Sequence, residues 1–424
     1  MKMLLPSVRP SMDIGFLSSS SIVFAGSFVV NVLNYVFTLV MGRMMGIEAF
    51  GEVAALLSLY IVVSVPAAAL SMLMTREVAF HNESGTAIEH FFLFLRKHVL
   101  FAALGLWLIF VALVPLLSAF LHIPYVIFFA FSMLIPLMAV GSLQSGALQG
   151  LQEFFMLSKQ SVLGALIKLA VSVLFVWLGF SVLGVMFALV LAQCAGTVYG
   201  FLAIRKTLDA KECAGTPFVI DAHAIRTLFT TILISTLFLA LLSNIDVLLA
   251  KHYLPAVLAG QYGALSTLGK IIIYGIGAFS TVLLPMVAAA HARGKGEEKR
   301  ILTFSLAVIA AASMSGVVIF SFFPAFFVHM LFGARYLDIA QYLGIFSVAM
   351  SCVALATALI NYFIAIRNTS FLYFLAFGIM LEVLLISLDH SSLAAIAHML
   401  ALSSAVLLAL MVINFFISNK RRTI

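Results

Sequence analysis

Twelve apolar runs of about 20 residues or more, set apart by clusters of charge, proline or glycine, follow one another along this chain. A bilayer core of about 30 Å takes roughly 20 residues of helix, and in hydrocarbon every backbone amide must be satisfied within its own segment or a closed barrel. Barrel strands alternate at period 2, and these runs do not. The expected fold is therefore an all-α integral membrane protein with twelve transmembrane helices. The spans are expected at about 14–41, 52–74, 98–119, 125–147, 161–180, 184–204, 227–250, 261–286, 301–323, 339–365, 370–388 and 392–417. A water-soluble domain is excluded, because 64% of the residues are hydrophobic and only 9% are charged.

Basic residues give the orientation, since cytoplasmic loops carry the excess of Lys and Arg. With the N-terminus inside, 18 of the 23 basic residues fall on the cytoplasmic side, Arg43, Lys251 and Arg335 fall outside, and Lys168 and Lys270 fall within spans. The expected location is a bacterial cytoplasmic (inner) membrane, with both termini cytoplasmic. The net charge of +7 then reports topology and attraction to anionic lipid headgroups, and requires no nucleic-acid partner. The first 13 residues lack the apolar segment and cleavage site of a signal peptide. Cys194 and Cys352 fall in spans and Cys213 on the cytoplasmic side, so no external disulfide is expected.

The longest charged connector, 205–226, divides the spans six and six, giving an N-lobe (14–204), a C-lobe (227–417), a cytoplasmic N-terminus (1–13) and a tail (418–424). Six is even, so both halves enter from the same side. Such repeats are related by a pseudo-twofold axis along the membrane normal, with a cavity between them. The hairpin after span 1, GRMMGIEAFGEVAALLSL, has an echo after span 7, AKHYLPAVLAGQYGALSTL. One inserted residue aligns Arg43 with Lys251 and Gly51 with Gly260. The counterpart of Asp246 is then Thr38, so the repeat leaves Asp246 unexplained. A second correspondence sets Glu153 and Lys168 against Arg367 and Glu382, with charges reversed.

The twelve-span layout, the segments GRMMGIEAFGEVAAL, NIDVLLAKHYLPAVLAGQYGALSTLGK and GALQGLQEF, and Pro285 closing span 8 resemble the polysaccharide flippases. These transport O-antigen and exopolysaccharide repeat units, and belong to the superfamily that includes the multidrug and toxic-compound exporters. The resemblance implies a V-shaped pair of six-helix lobes that move undecaprenyl-pyrophosphate-linked oligosaccharide to the outer leaflet by alternating access. It also implies that spans 1, 2, 7 and 8 line the cavity, and that polysaccharide polymerase and chain-length machinery are partners.

Lys168, Asp246, Lys270 and Glu382 interrupt apolar spans. Each costs about 2.5–3.5 kcal/mol at the bilayer centre, so they should face a cavity or one another. Asp246 and Lys270 flank one hairpin at similar depth, and are expected either to pair or to meet substrate. Lys168 and Glu382 lie on spans that are peripheral in the resembling fold, as buried structural charges or, for Lys168, a side chain snorkelling to the interface and, for Glu382, a proton site.

Along span 1, Ser20, Ser27, Asn31, Asn34 and Thr38 share one helical face. Such a stripe suits either sugar hydroxyls or close helix packing. Arg43 and Lys251 at the outer mouth, and Arg76 at the inner end of span 2, are candidate pyrophosphate contacts or plain interfacial charges. Pro66, Gly275 and Gly277 are the expected bending points of spans 2 and 8.

No catalytic or phosphate-loop motif is present, and no cofactor or metal is expected: His81, His90 and His98 are spaced too widely for a compact site. The competing transport function is drug export, which favours carboxylates in the cavity. The competing enzyme is a membrane polymerase or glycosyltransferase. Its only sizeable external loop, 324–338, offers just His329, Arg335 and Asp338.

Overall fold

In a computed structural model, residues 14–80, 85–209, 222–293, 297–366 and 368–420 are described. The segment 210–221, most of the expected inter-lobe linker, lies outside them. So do the N-terminus, Arg367 and the last four residues.

The described chain is helical throughout. The first half holds α1 (Ile14–Met44), α2 (Ile47–Val63), α3 (Val65–Phe80), α4 (Gly85–Leu121), α5 (Tyr125–Ser132), α6 (Leu134–Gly150), α7 (Phe154–Trp177) and α8 (Ser181–Asp209). The second holds α9 (Ala222–Leu242), α10 (Ile245–Tyr253), α11 (Ala256–Arg293), α12 (Glu297–Phe322), α13 (Pro324–Leu331), a short 3-10 turn (Ala334–Ile339), α14 (Ala340–Ala365), α15 (Phe371–Leu388) and α16 (Leu393–Lys420). Eleven membrane-length segments emerge among the described residues, and a bent pair makes the twelfth.

Several helices are half-spans. Ser64 separates α2 from α3, where its hydroxyl donates to the Ile61 carbonyl (2.8 Å) and Pro66, lacking an N–H, cannot continue the ladder. The helix is thus broken just before Pro66. At Gly275 and Gly277 there is no break, since α11 runs as one helix through both. Span 7 bends instead, by 48° between α9 and α10. There the Asn244 side chain donates back to the Ala240 carbonyl (2.9 Å).

Packing sorts the helices into two lobes. In the first, α7 packs on α1 and α8, and α6 on α3, α4 and α8; in the second, α14 packs on α11, α12 and α16, and α15 on α16. The lobes meet where α2 crosses α11 and touches α10, and where α3 and α9 pack together. One end of the bundle carries the turns between α1 and α2 and between α10 and α11. It is called the turn end below, and the opposite one the terminal end.

Candidate functional site

The turn end is built on the two glycines that the repeat aligns. Gly51 is the fifth residue of α2 and Gly260 the fifth of α11, and they lie against each other. A methyl group on Gly51 would fall 2.7 Å from the Gly260 amide nitrogen, and one on Gly260 would overlap the Ile47 carbonyl. One turn on, Gly263 meets Ala54. Small residues three apart on both helices thus bring the backbones into contact.

Three further ties close this end. The Arg43 guanidinium, at the end of α1, donates from Nε to the Leu331 carbonyl (3.0 Å) and from Nη2 to that of Met330, at the C-terminus of α13. The Tyr336 hydroxyl donates to the Gly42 carbonyl (3.2 Å), and the rings of Phe50, Phe332 and Tyr336 pack edge to face or tilted. His252 of α10 stacks on Phe120 of α4 (centroids 4.0 Å apart) and hydrogen-bonds the Phe120 carbonyl through Nδ1 (2.7 Å). Lys251 is buried, within electrostatic reach of Glu52 and Glu48 on α2. In this conformation Arg43 and Lys251 thus serve lobe-to-lobe contacts.

The break in span 7 explains Asp246. It opens a nine-residue helix, α10, with Asp246 in its first turn and Lys251 and His252 in its last. Free N–H groups at a helix start favour an anion and free carbonyls at its end favour a cation.

Asp246 does not pair with Lys270 among the described residues. Its Oδ2 accepts from the Tyr262 hydroxyl (3.1 Å), and both groups are buried. The ion that comes close is Glu382: placed at the periphery by sequence reasoning, it is 1% exposed, with Asp246 and Lys270 both in electrostatic reach. Helix α15 carries it there by packing on α9 and α10. Glu382 thus lies within electrostatic reach of one further carboxyl group and one ammonium, all three buried. Oδ1 of Asp246 and Oε1 of Glu382 find no hydrogen-bond donor among the described residues. Sequence reasoning passed over Tyr262, whose signal was its place nearly two helical turns into α11.

Lys270 is buried seven residues beyond Gly263 on α11, two turns along the face that meets α2, and roughly 10 Å deeper than the crossing. Lys168 belongs to the other lobe. It donates to Asn34 Oδ1 and sits over the Phe37 ring (4.4 Å from its centroid), tying α7 to α1. Of the span 1 stripe, Thr38 bonds the Asn34 carbonyl (3.1 Å), while Ser27 and Asn31 are exposed. The Ser20 side chain lies outside the description. Arg76 is exposed on α3, in its terminal half, away from the Asp246 cluster. An apolar cavity of about 140 Å³ lies beside the α2–α3 break, lined among others by Pro66, Leu70, Leu106, Met138 and Phe229.

Two lobes of six spans, joined by half-helices and glycine crossings around buried charges, define a membrane protein of the multidrug and oligosaccharidyl-lipid transporter fold. The chain belongs to the family described as polysaccharide biosynthesis protein, whose model matches residues 16–291. Among solved structures it is similar to a multidrug resistance MATE family transporter of the MOP superfamily in its inward-facing conformation. That likeness has a TM-score of 0.76 and 13% identity, covering 93% of this chain and 96% of the other. The lipid II flippase MurJ in an inward closed conformation aligns with a TM-score of 0.72 and 12% identity, over 93% and 87% of the two chains. The outward-facing form of a MATE family transporter gives 0.66 at 14% identity, over 96% of each chain. A search of curated proteins returns no match.

Proposed function

We propose that this protein is a flippase that carries undecaprenyl-pyrophosphate-linked oligosaccharide repeat units from the cytoplasmic to the outer leaflet by alternating access, for cell-surface polysaccharide synthesis. It would do so in a bacterial cytoplasmic membrane, termini inside, feeding a polymerase and chain-length machinery. The observation that carries the reading is Lys270. In a member of a polysaccharide biosynthesis family, it places an ammonium on the inter-lobe face, below the crossing that closes the turn end. A pyrophosphate group needs such a cation wherever water is scarce. Ser27 and Asn31, exposed along α1, offer the donors and acceptors that sugar hydroxyls require. In this reading Arg76 meets the headgroup at the loading side, while Arg43 and Lys251 meet it as the turn end opens.

Glu382 is the coupling element: buried beside Asp246 and Lys270, its carboxyl group takes up and releases the transported proton. On this reading, Glu382→Gln should remove the dependence of transport on a pH gradient, measured as flux with and without the gradient. Unchanged dependence would assign coupling elsewhere.

The function itself is tested in vesicles holding a fluorescent prenyl-pyrophosphate oligosaccharide. The wild-type protein should make the inner-leaflet label accessible outside, and should leave a lipophilic cationic dye in place. Movement of the dye without movement of the lipid would replace this reading with drug export.

A further inference from the structure

The turn end carries a second basic constellation that none of the contacts above uses up. Arg43 of one lobe and His329 and Arg335 of the other line a concavity of about 420 Å³, completed by Gly42, Phe332, Gly333 and Ala334. No carboxylate lines it among the described residues. Gly333 shapes its floor: with φ of +91° it turns the chain sharply between α13 and the 3-10 turn, and its amide caps the Val328 and His329 carbonyls (3.2 and 3.0 Å). That turn brings Arg335 back beside His329. Arg43 spends two of its five N–H donors on the α13 carbonyls, leaving three. Both arginines and His329 are exposed at the rim, where a ligand can reach them.

The geometry points to an anion-binding site here, taking a phosphate or pyrophosphate group. Two guanidinium groups supply planar donor pairs that match phosphate oxygens, and the imidazole adds a third donor. Phe332 and the small residues leave room for the group and its ester substituent. Because Arg43 comes from one lobe and the other two from its partner lobe, the site is complete only while the lobes are apposed at this end. Its occupant therefore favours that state by its own binding free energy. In the expected orientation this is the outer face, so phosphate-bearing groups there act on the protein from the side of release. The occupant is a lipid headgroup or a free phosphate; both present the same oxygens.

Binding can be read without any transport. In nanodiscs of zwitterionic lipid, calorimetric titration of the full-length protein with inorganic pyrophosphate should show saturable binding. Arg335→Ala should weaken it at least tenfold, and Arg335→Gln gives the same reading should the alanine variant fail to fold. Spin labels at Met44 and Leu337, both exposed, should report a narrower and shorter inter-lobe distance when pyrophosphate is bound. Repeating the titration with phosphatidylglycerol in the disc separates the sources. A curve displaced to higher concentration assigns the site to headgroups, and an unmoved one to free phosphate. Absence of saturable binding by the wild type, or wild-type affinity in both Arg335 variants, overturns the proposal.

Discussion

Leucine at position 260 should hold the turn end open. The Gly260 Cα faces the Ile47 carbonyl so closely that no Cβ fits, and the obstacle is backbone, which cannot rotate aside as a side chain does. Overpacking of this kind costs about 1–3 kcal/mol. Here the strain is relieved when α2 and α11 part, so it falls on one conformation only and shifts the balance of states roughly 5- to 150-fold. Distance distributions between labels at Met44 and Leu337 should move to longer values in Gly260→Leu, with helix content unchanged. A distribution identical to wild type would mean that the crossing does not close the transport path.

Loss of the buried ammonium should be the most damaging single change to stability. Lys270→Ala removes the one cation within electrostatic reach of buried Glu382 among the described residues, and breaking a buried charge set in this way costs about 3–5 kcal/mol. The effect belongs to the uncompensated carboxylates more than to the lysine, so Glu382→Gln in the same chain should restore most of the lost thermal stability. Melting of the single and double variants in detergent decides it. If the second substitution restores nothing, Lys270 acts through packing or substrate, and Glu382 is not its partner. The double variant also serves translocation assays, since it lacks the cation while keeping the fold.

Length and composition made the twelve spans legible, because lipid admits so few backbone solutions. The hairpin echo led to Gly51 and Gly260, since a glycine placed alike after two similar turns marks a close approach of backbones. What the residues did not disclose was tertiary. Span 7 reads as one apolar run, yet Ser243 and Asn244 break it, and only that break makes Asp246 a first-turn residue. The Ser-Asn pair was a helix-start signal, outweighed by the length of the run. Glu382 was misplaced for the same reason: α15 reaches Asp246 through the bend. Lys168, which forms no ion pair among the described residues, was harder still, because its partners are an amide oxygen and an aromatic face.

The contact between Gly51 and Gly260 joins equivalent places of the two halves. When equivalent residues of two repeats touch each other, they stand on the axis that relates them, as in an isologous dimer interface. A single six-span ancestor with glycine at this place would have met a second copy of itself there, and one mutation would have altered both sides of the joint at once. In one chain the two glycines are separate codons, so either side of the joint can be altered alone, as Gly260→Leu does.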